Sequence, residues 1–105
     1  MVRAVTLNPN DPIALANLHW YFAVEETRYD LALWFSERAS TIQPNNALHY
    51  TSQGWTWVNL HNPDKAEGFF IKAVEIQPDY SGAIIGLTLL YREWKDDYQK
   101  GISLL

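Results

Sequence analysis

Three histidines, five serines and one pair of adjacent aspartates are the side chains whose types could carry a reaction in this 105-residue chain. His19, His49 and His61 stand 30 and 12 residues apart, which gives no pair one helical turn apart and no helical His/Glu constellation of the metalloprotease kind. They read as surface or helix-crossing histidines. Ser36, Ser40, Ser52, Ser81 and Ser103 have no histidine and acid beside them in a recognisable nucleophile motif, and no glycine-rich loop could cradle a phosphate. Asp96-Asp97 fits a solvated turn at a helix start, where the macrodipole favours negative charge. Neither an enzyme, a metal site nor a cofactor is expected. The five tryptophans are the more informative chemistry, and their meaning depends on the elements that carry them.

Those elements follow from a repeat. The stretch from Pro44 to Pro78 spans 34 residues, and sliding the chain by that period matches it to itself. Ala4, Ala39 and Ala73 each stand five residues before Pro9, Pro44 and Pro78, and TLNPND, TIQPNN and EIQPDY are three versions of one junction. Self-similarity at this period marks a helical array, in which each unit needs its neighbour to bury an apolar face.

Composition agrees with one folded, all-α domain over residues 1–105: 48% hydrophobic and 14% aromatic residues are ample for a core. Eight basic against twelve acidic residues, with no Lys/Arg cluster along the sequence, set nucleic acid aside as a partner. No apolar run approaches the roughly 20 residues of a membrane span, and MVRAVTLNP is too short and too soon broken for a signal peptide, so no membrane is expected and a cytoplasmic location is the default. The absence of cysteine excludes disulfides and thiolate metal sites.

In chain order, residues 1–9 read as the end of a preceding unit, 10–44 as a first repeat, 45–78 as a second and 79–105 as a truncated third. Asn10 or Asp11 can cap a helix with Pro12 in its first turn, running to about Glu26 with Leu15, Leu18 and Phe22 on one stripe. After a turn at Thr27-Arg28, a second helix from Tyr29 to Gln43 places Ala32, Phe35, Ala39 and Ile42 inward, and Pro44 ends it. Asn45 or Asn46 caps the next helix, to about Leu60, with Tyr50, Gly54 and Trp57 on one face. Asn62-Pro63 starts another to Gln77, with Ala66, Phe70, Ala73 and Ile76 inward. The last unit opens at Asp79-Tyr80-Ser81, runs through Ile84, Leu87 and Tyr91 to about Trp94, turns at Lys95-Asp96-Asp97 and enters a final helix at Tyr98. Gly82, Gly86 and Gly101 each cost about 1 kcal/mol of helix propensity relative to alanine, so this unit is expected to be the least stable.

With the helix pairs placed, the chain resembles the tetratricopeptide repeat (TPR) family: a large apolar residue, then Leu-Gly, an aromatic, Ala and Phe in the second helix, then Pro. Tyr50, Gln53-Gly54, Trp57, Ala66, Phe70, Ala73 and Pro78 carry the pattern best. Leu15, Leu18-His19, Phe22, Tyr29, Ala32, Ala39 and Pro44 repeat it with one extra turn residue; Ile84, Leu87-Thr88, Tyr91 and Tyr98 do so before Gly101 takes the alanine slot. The resemblance implies antiparallel helix pairs stacked into a right-handed superhelix, an α-solenoid. His19 and Thr88 sit where paired helices cross closely and a small residue is usual, which suggests looser packing there than at Gly54.

In this family the first helix of each pair lines the concave wall. Trp20, Trp55 and Leu89 each lie two residues before the buried aromatic and so point off the core stripe, onto that wall. Ile13, Ala16, Thr51, Val58 and Ile85 share the face, and Asn59 and Arg92 one turn further on could orient a ligand. The expectation is a scaffold whose groove binds another protein through an apolar peptide or helix, the rival for the tryptophans being packing against neighbouring repeats. The places that grip a C-terminal carboxylate in some family members hold Ala16, Trp20, Ser52, Gly82 and Gly86, so that clamp is missing. A structural alternative is a homo-oligomer built end to end, Leu104 and Leu105 of one copy meeting Met1, Val2 and Val5 of the next.

Overall fold

A computed structural model of the chain describes residues 11–93. Every regular element among them is helical: α1, Pro12–Trp20, extended by a π-helical turn, Tyr21–Glu25; α2, Tyr29–Ile42; α3, Ala47–Asn59; α4, Pro63–Ile76; and α5, Ser81–Glu93. The expected helix ending at residue 9, the turn at Lys95-Asp96-Asp97, the helix from Tyr98 and the end-to-end contact through Leu104 and Leu105 lie outside the described residues.

Three of the starts have a local cause in a side-chain cap, whereas α2 begins without one. Asp11 caps α1 by accepting from the Ile13 amide at 3.0 Å, with Pro12 in the first turn. Asn46 caps α3 through the Leu48 amide, also at 3.0 Å, and Asn62 caps α4 through the Lys65 amide at 3.2 Å, followed by Pro63. The tight turns need left-handed backbone at two non-glycine residues, Thr27 with φ 49° and His61 with φ 59°.

The first helix departs from the expected single run to Glu26. Its last five residues widen into a π turn, in which the Glu26 amide reaches back to Tyr21 O at 3.3 Å; beyond it the Arg28 amide closes the loop onto Phe22 O at 2.7 Å. This is where the sequence carries one residue more than its 34-residue period. A π turn absorbs an extra residue without breaking the helix.

Neighbouring helices in sequence touch, and α3 also touches α1 and α5. Two contact regions result, both using α3. Between α3, α4 and α5 the buried set is apolar: Ala47, Ala66, Phe70, Ala73, Ala83, Leu87, Leu90 and Tyr91. Phe70 is the centre of this region. A Cβ on Gly54 would fall 2.6 Å from its ring, and so would one on Gly86, so the ring is held between two bare stretches of helix backbone. Gly86 therefore costs helix propensity but makes room for an aromatic ring whose burial contributes about 1.5–3 kcal/mol.

Between α1, α2 and α3 the apolar residues Leu15, Leu18, Ala32 and Ala39 are joined by a buried polar set: His19, Ser36, His49, Ser52, Gln53 and Thr56. Several expected stripe residues are less buried than their spacing implied. Phe22, Phe35, Tyr50, Trp57 and Ile76 are half-buried, and Ile42 is exposed. Phe22 and Phe35 stack with centroids 5.4 Å apart at the edge of the α1–α2 pair.

Candidate functional site

Helix α3 touches both α1 and α5, a contact that the expected groove requires. The ten residues expected there do not form one exposed stripe. Ile13 and Ile85 are open to solvent, at 73% and 52% exposure, and Trp20 is partly so. Ala16 and Thr51 are buried, filling the approach of neighbouring helices. Trp55, Val58 and Leu89 are half-buried; Trp55 and Val58 pack against the apolar core, Trp55 edge-on to Phe70 at 5.3 Å between centroids. Asn59 and Arg92 are exposed, Arg92 lying 3.5 Å from the Glu93 carboxylate. Trp20 meets the ring of His19 edge-on at 5.0 Å and lines a shallow depression of about 400 Å³ with Asn17, Tyr21, Val24 and Glu25. The free apolar surface of this face thus comes from Ile13, Trp20 and Ile85, while Trp55 is largely committed to the fold.

The buried polar set is the second feature. His19 does not loosen the crossing of α1 and α2: it is fully buried, and both ring nitrogens have partners. Nδ1 lies 2.8 Å from Ala32 O, and because a carbonyl only accepts, Nδ1 carries a proton. In the neutral ring Nε2 is then the acceptor, for the Thr56 hydroxyl at 3.1 Å. That hydroxyl is also 3.0 Å from Ser52 O, so its one proton has two claimants. Burial pushes the His19 pKa below its ordinary value of 6.5, against smaller opposing effects of the Ala32 and Ser52 carbonyls. His49 is lowered as well, by burial first and by the nearby His19 charge second; its Nε2 lies 2.8 Å from Gln43 Oε1. Gln53 donates to His49 O at 3.1 Å and to Ser40 Oγ at 3.4 Å. These hydrogen bonds connect α1, α2 and α3. Among the described residues no cluster of three metal-ligating side chains occurs.

A third feature escaped the sequence reading. Tyr50 and Trp57 of α3 and Lys65, Gly68, Phe69 and Lys72 of α4 surround a depression of about 470 Å³, with Glu37 of α2 at its edge. The Lys65 ammonium sits 4.4 Å from the Trp57 ring centroid and Lys72 5.9 Å from that of Tyr50. The available signal was the 3-4-7 spacing of Lys65, Gly68, Phe69 and Lys72, which puts them on one helix face. A further hollow, of about 590 Å³, is lined by Trp34, Glu37, Arg38, Thr41 and Ile42, all from α2, and so is the outer surface of one helix.

The chain matches no protein-family model, and a search of curated proteins finds no match. Among the described residues no helix is long and apolar enough to cross a membrane.

Proposed function

We propose that this chain is a protein-interaction module of the tetratricopeptide type, with antiparallel helix pairs stacked as an α-solenoid, and that it acts by binding rather than catalysis. The partner is an apolar peptide or helix laid across the face that α1, α3 and α5 share. The observation that carries this reading is the direct contact of α3 with both α1 and α5, together with the exposure of Ile13, Trp20 and Ile85 on those outer two helices. Exposed large apolar side chains aligned on one face lose unfavourable contact with water when a partner covers them.

The test is peptide selection against the immobilised chain, followed by calorimetry of the selected peptides with Trp20→Ala and with Ile13→Ser/Ile85→Ser. Ile13 and Ile85 are exposed, so their variant is expected to melt as the parent does, while Trp20→Ala, which loses an edge contact with His19, should melt slightly lower. Binding should weaken roughly tenfold or more in each. Selected peptides that bind both variants as tightly as the parent would refute the shared face as the site.

A further inference from the structure

We infer that the trough between α3 and α4 is a second docking surface, and that it takes an acidic amphipathic helix of a partner protein. The two helices run in opposite directions here, since Lys65 near the start of α4 covers Trp57 near the end of α3, and Lys72 covers Tyr50 one to two turns away. Each end of the trough is thus an aromatic ring under an ammonium group. The middle is Gly68 and Phe69.

Two observations point outward to a ligand. Lys65 and Lys72 are the lysines among the described residues, and in a chain of net charge -4 both face the same depression. Gly68 stands in the interior of α4, where glycine disfavours the helix, yet a Cβ there would meet nothing within 4 Å. Gly54 and Gly86 are required by the Phe70 ring; Gly68 has no such internal reason and leaves bare backbone at the floor of the trough. A helix can approach such a floor closely.

The spacing selects the occupant. The lysines are seven residues apart on a helix, about 10 Å. A partner helix advances at the same rise per residue, so acidic side chains at its positions i and i+7 meet Lys65 and Lys72 in register, while apolar side chains at i+3 and i+4 settle over Gly68 against Phe69 and Trp57. Two cations against acids favour association and fix the register. Glu37 at the α2 edge disfavours a third acid on that side of the partner.

The probe is a fluorescein-labelled, acetylated alanine-rich peptide of about 16 residues, long enough to populate a helix, with Glu at i and i+7, Leu at i+3 and Phe at i+4. Anisotropy with the full 105-residue chain should show saturable binding that weakens as salt is raised. The same peptide with both Glu replaced by Gln, and the variant Lys65→Glu/Lys72→Glu, should each bind at least roughly tenfold more weakly. Gly68→Leu should abolish binding while leaving the melting midpoint equal or higher, because the longer side chain occupies the trough, its Cβ meets no atom within 4 Å, and leucine favours a helix over glycine. Trp20→Ala should bind as the parent does, which separates this surface from the one above. The assignment is overturned if the glutamate peptide fails to saturate below about 1 mM, if the glutamine peptide or Gly68→Leu binds as well as the parent pair, or if sedimentation shows a dimer that Gly68→Leu dissociates, which would make a second copy the occupant.

Discussion

The contact of α1 with α2 and that of α4 with α3 and α5 solve one problem with opposite choices of side chain. In the second, a large ring, Phe70, comes from the later helix and faces the bare backbone of Gly54. In the first, the large side chain comes from the earlier helix: His19 occupies the position equivalent to Gly54, and Ser36, 34 residues before Phe70, occupies the position of the ring. The two side chains meet at one atom, Ala32 O, which lies 2.8 Å from His19 Nδ1 and 3.2 Å from Ser36 Oγ. Bulk has been exchanged across the crossing. The exchange also changed its chemistry, from an apolar plug that gains by burial to a ring whose nitrogens must be satisfied wherever it goes. Such a crossing specifies geometry through hydrogen bonds, whereas the buried atoms without a partner among the described residues, His49 Nδ1, Thr51 Oγ1, Ser52 Oγ and Trp57 Nε1, all belong to α3 and are not particular to it.

The largest effect that separates the regions is expected from Phe70→Ala, which removes the fully buried ring between two glycines and should cost about 3–5 kcal/mol in urea denaturation. A loss below about 1 kcal/mol would mean that the ring is not the keystone of α3, α4 and α5. Gly54→Val comes next. Its Cβ would overlap the Phe70 ring, and the cost should be about 1–3 kcal/mol, partly relieved when Phe70→Leu is added.

The exchange of bulk can be tested directly by converting the first crossing into the second. Ser36→Phe alone should be strongly destabilising beside His19, and His19→Gly alone should leave a cavity, with the Thr56 hydroxyl left to donate to Ser52 O. Together they should be less harmful than the sum, with a coupling of about 0.5–3 kcal/mol in a double-mutant cycle. Strict additivity would show that the two positions are not complementary.

The smallest expected effect is on pH dependence. His19 and His49 have folded pKa values below their ordinary 6.5, so between those values the unfolded chain binds more protons than the folded one. Stability is then full above about pH 6.5 and declines as the pH falls through that value towards the lowered folded ones. Melting midpoints followed from pH 8 to pH 5 should fall, and the fall should shrink in His19→Gln and shrink further with His49→Gln added. A flat profile in the parent would show that the rings are not buried in their neutral form.

How far the sequence could be read follows the same division. Helix starts were legible because they are local: Asp11, Asn46 and Asn62 each satisfy a helix amide two or three residues on, and Pro12 and Pro63 fix a backbone angle without outside help. Burial of Leu15, Leu18, Ala32, Ala66, Phe70 and Leu87 was also legible, because helical periodicity puts these residues on one stripe. Exposure was not. Trp55 has the same offset from its neighbouring aromatic as Trp20, yet it packs on Phe70, because a ring reaches whatever space the next helix leaves open. Ile42 likewise is exposed although its spacing places it on the stripe of Ala39.

Over the described residues, the amino-acid sequence by itself determined where the chain is helical, where it turns and which face of each helix is apolar, since caps, prolines and a 3.6-residue period act over a few residues. The tertiary structure decided which side chain fills each helix crossing, that two lysines seven residues apart share one trough with Tyr50 and Trp57, and that the extra residue of the first unit is taken up as a π turn. Those outcomes depend on volume and hydrogen-bond partners supplied by residues far away in the chain, such as Thr56 for His19 and Gly86 for Phe70, and spacing along one helix carries no measure of them.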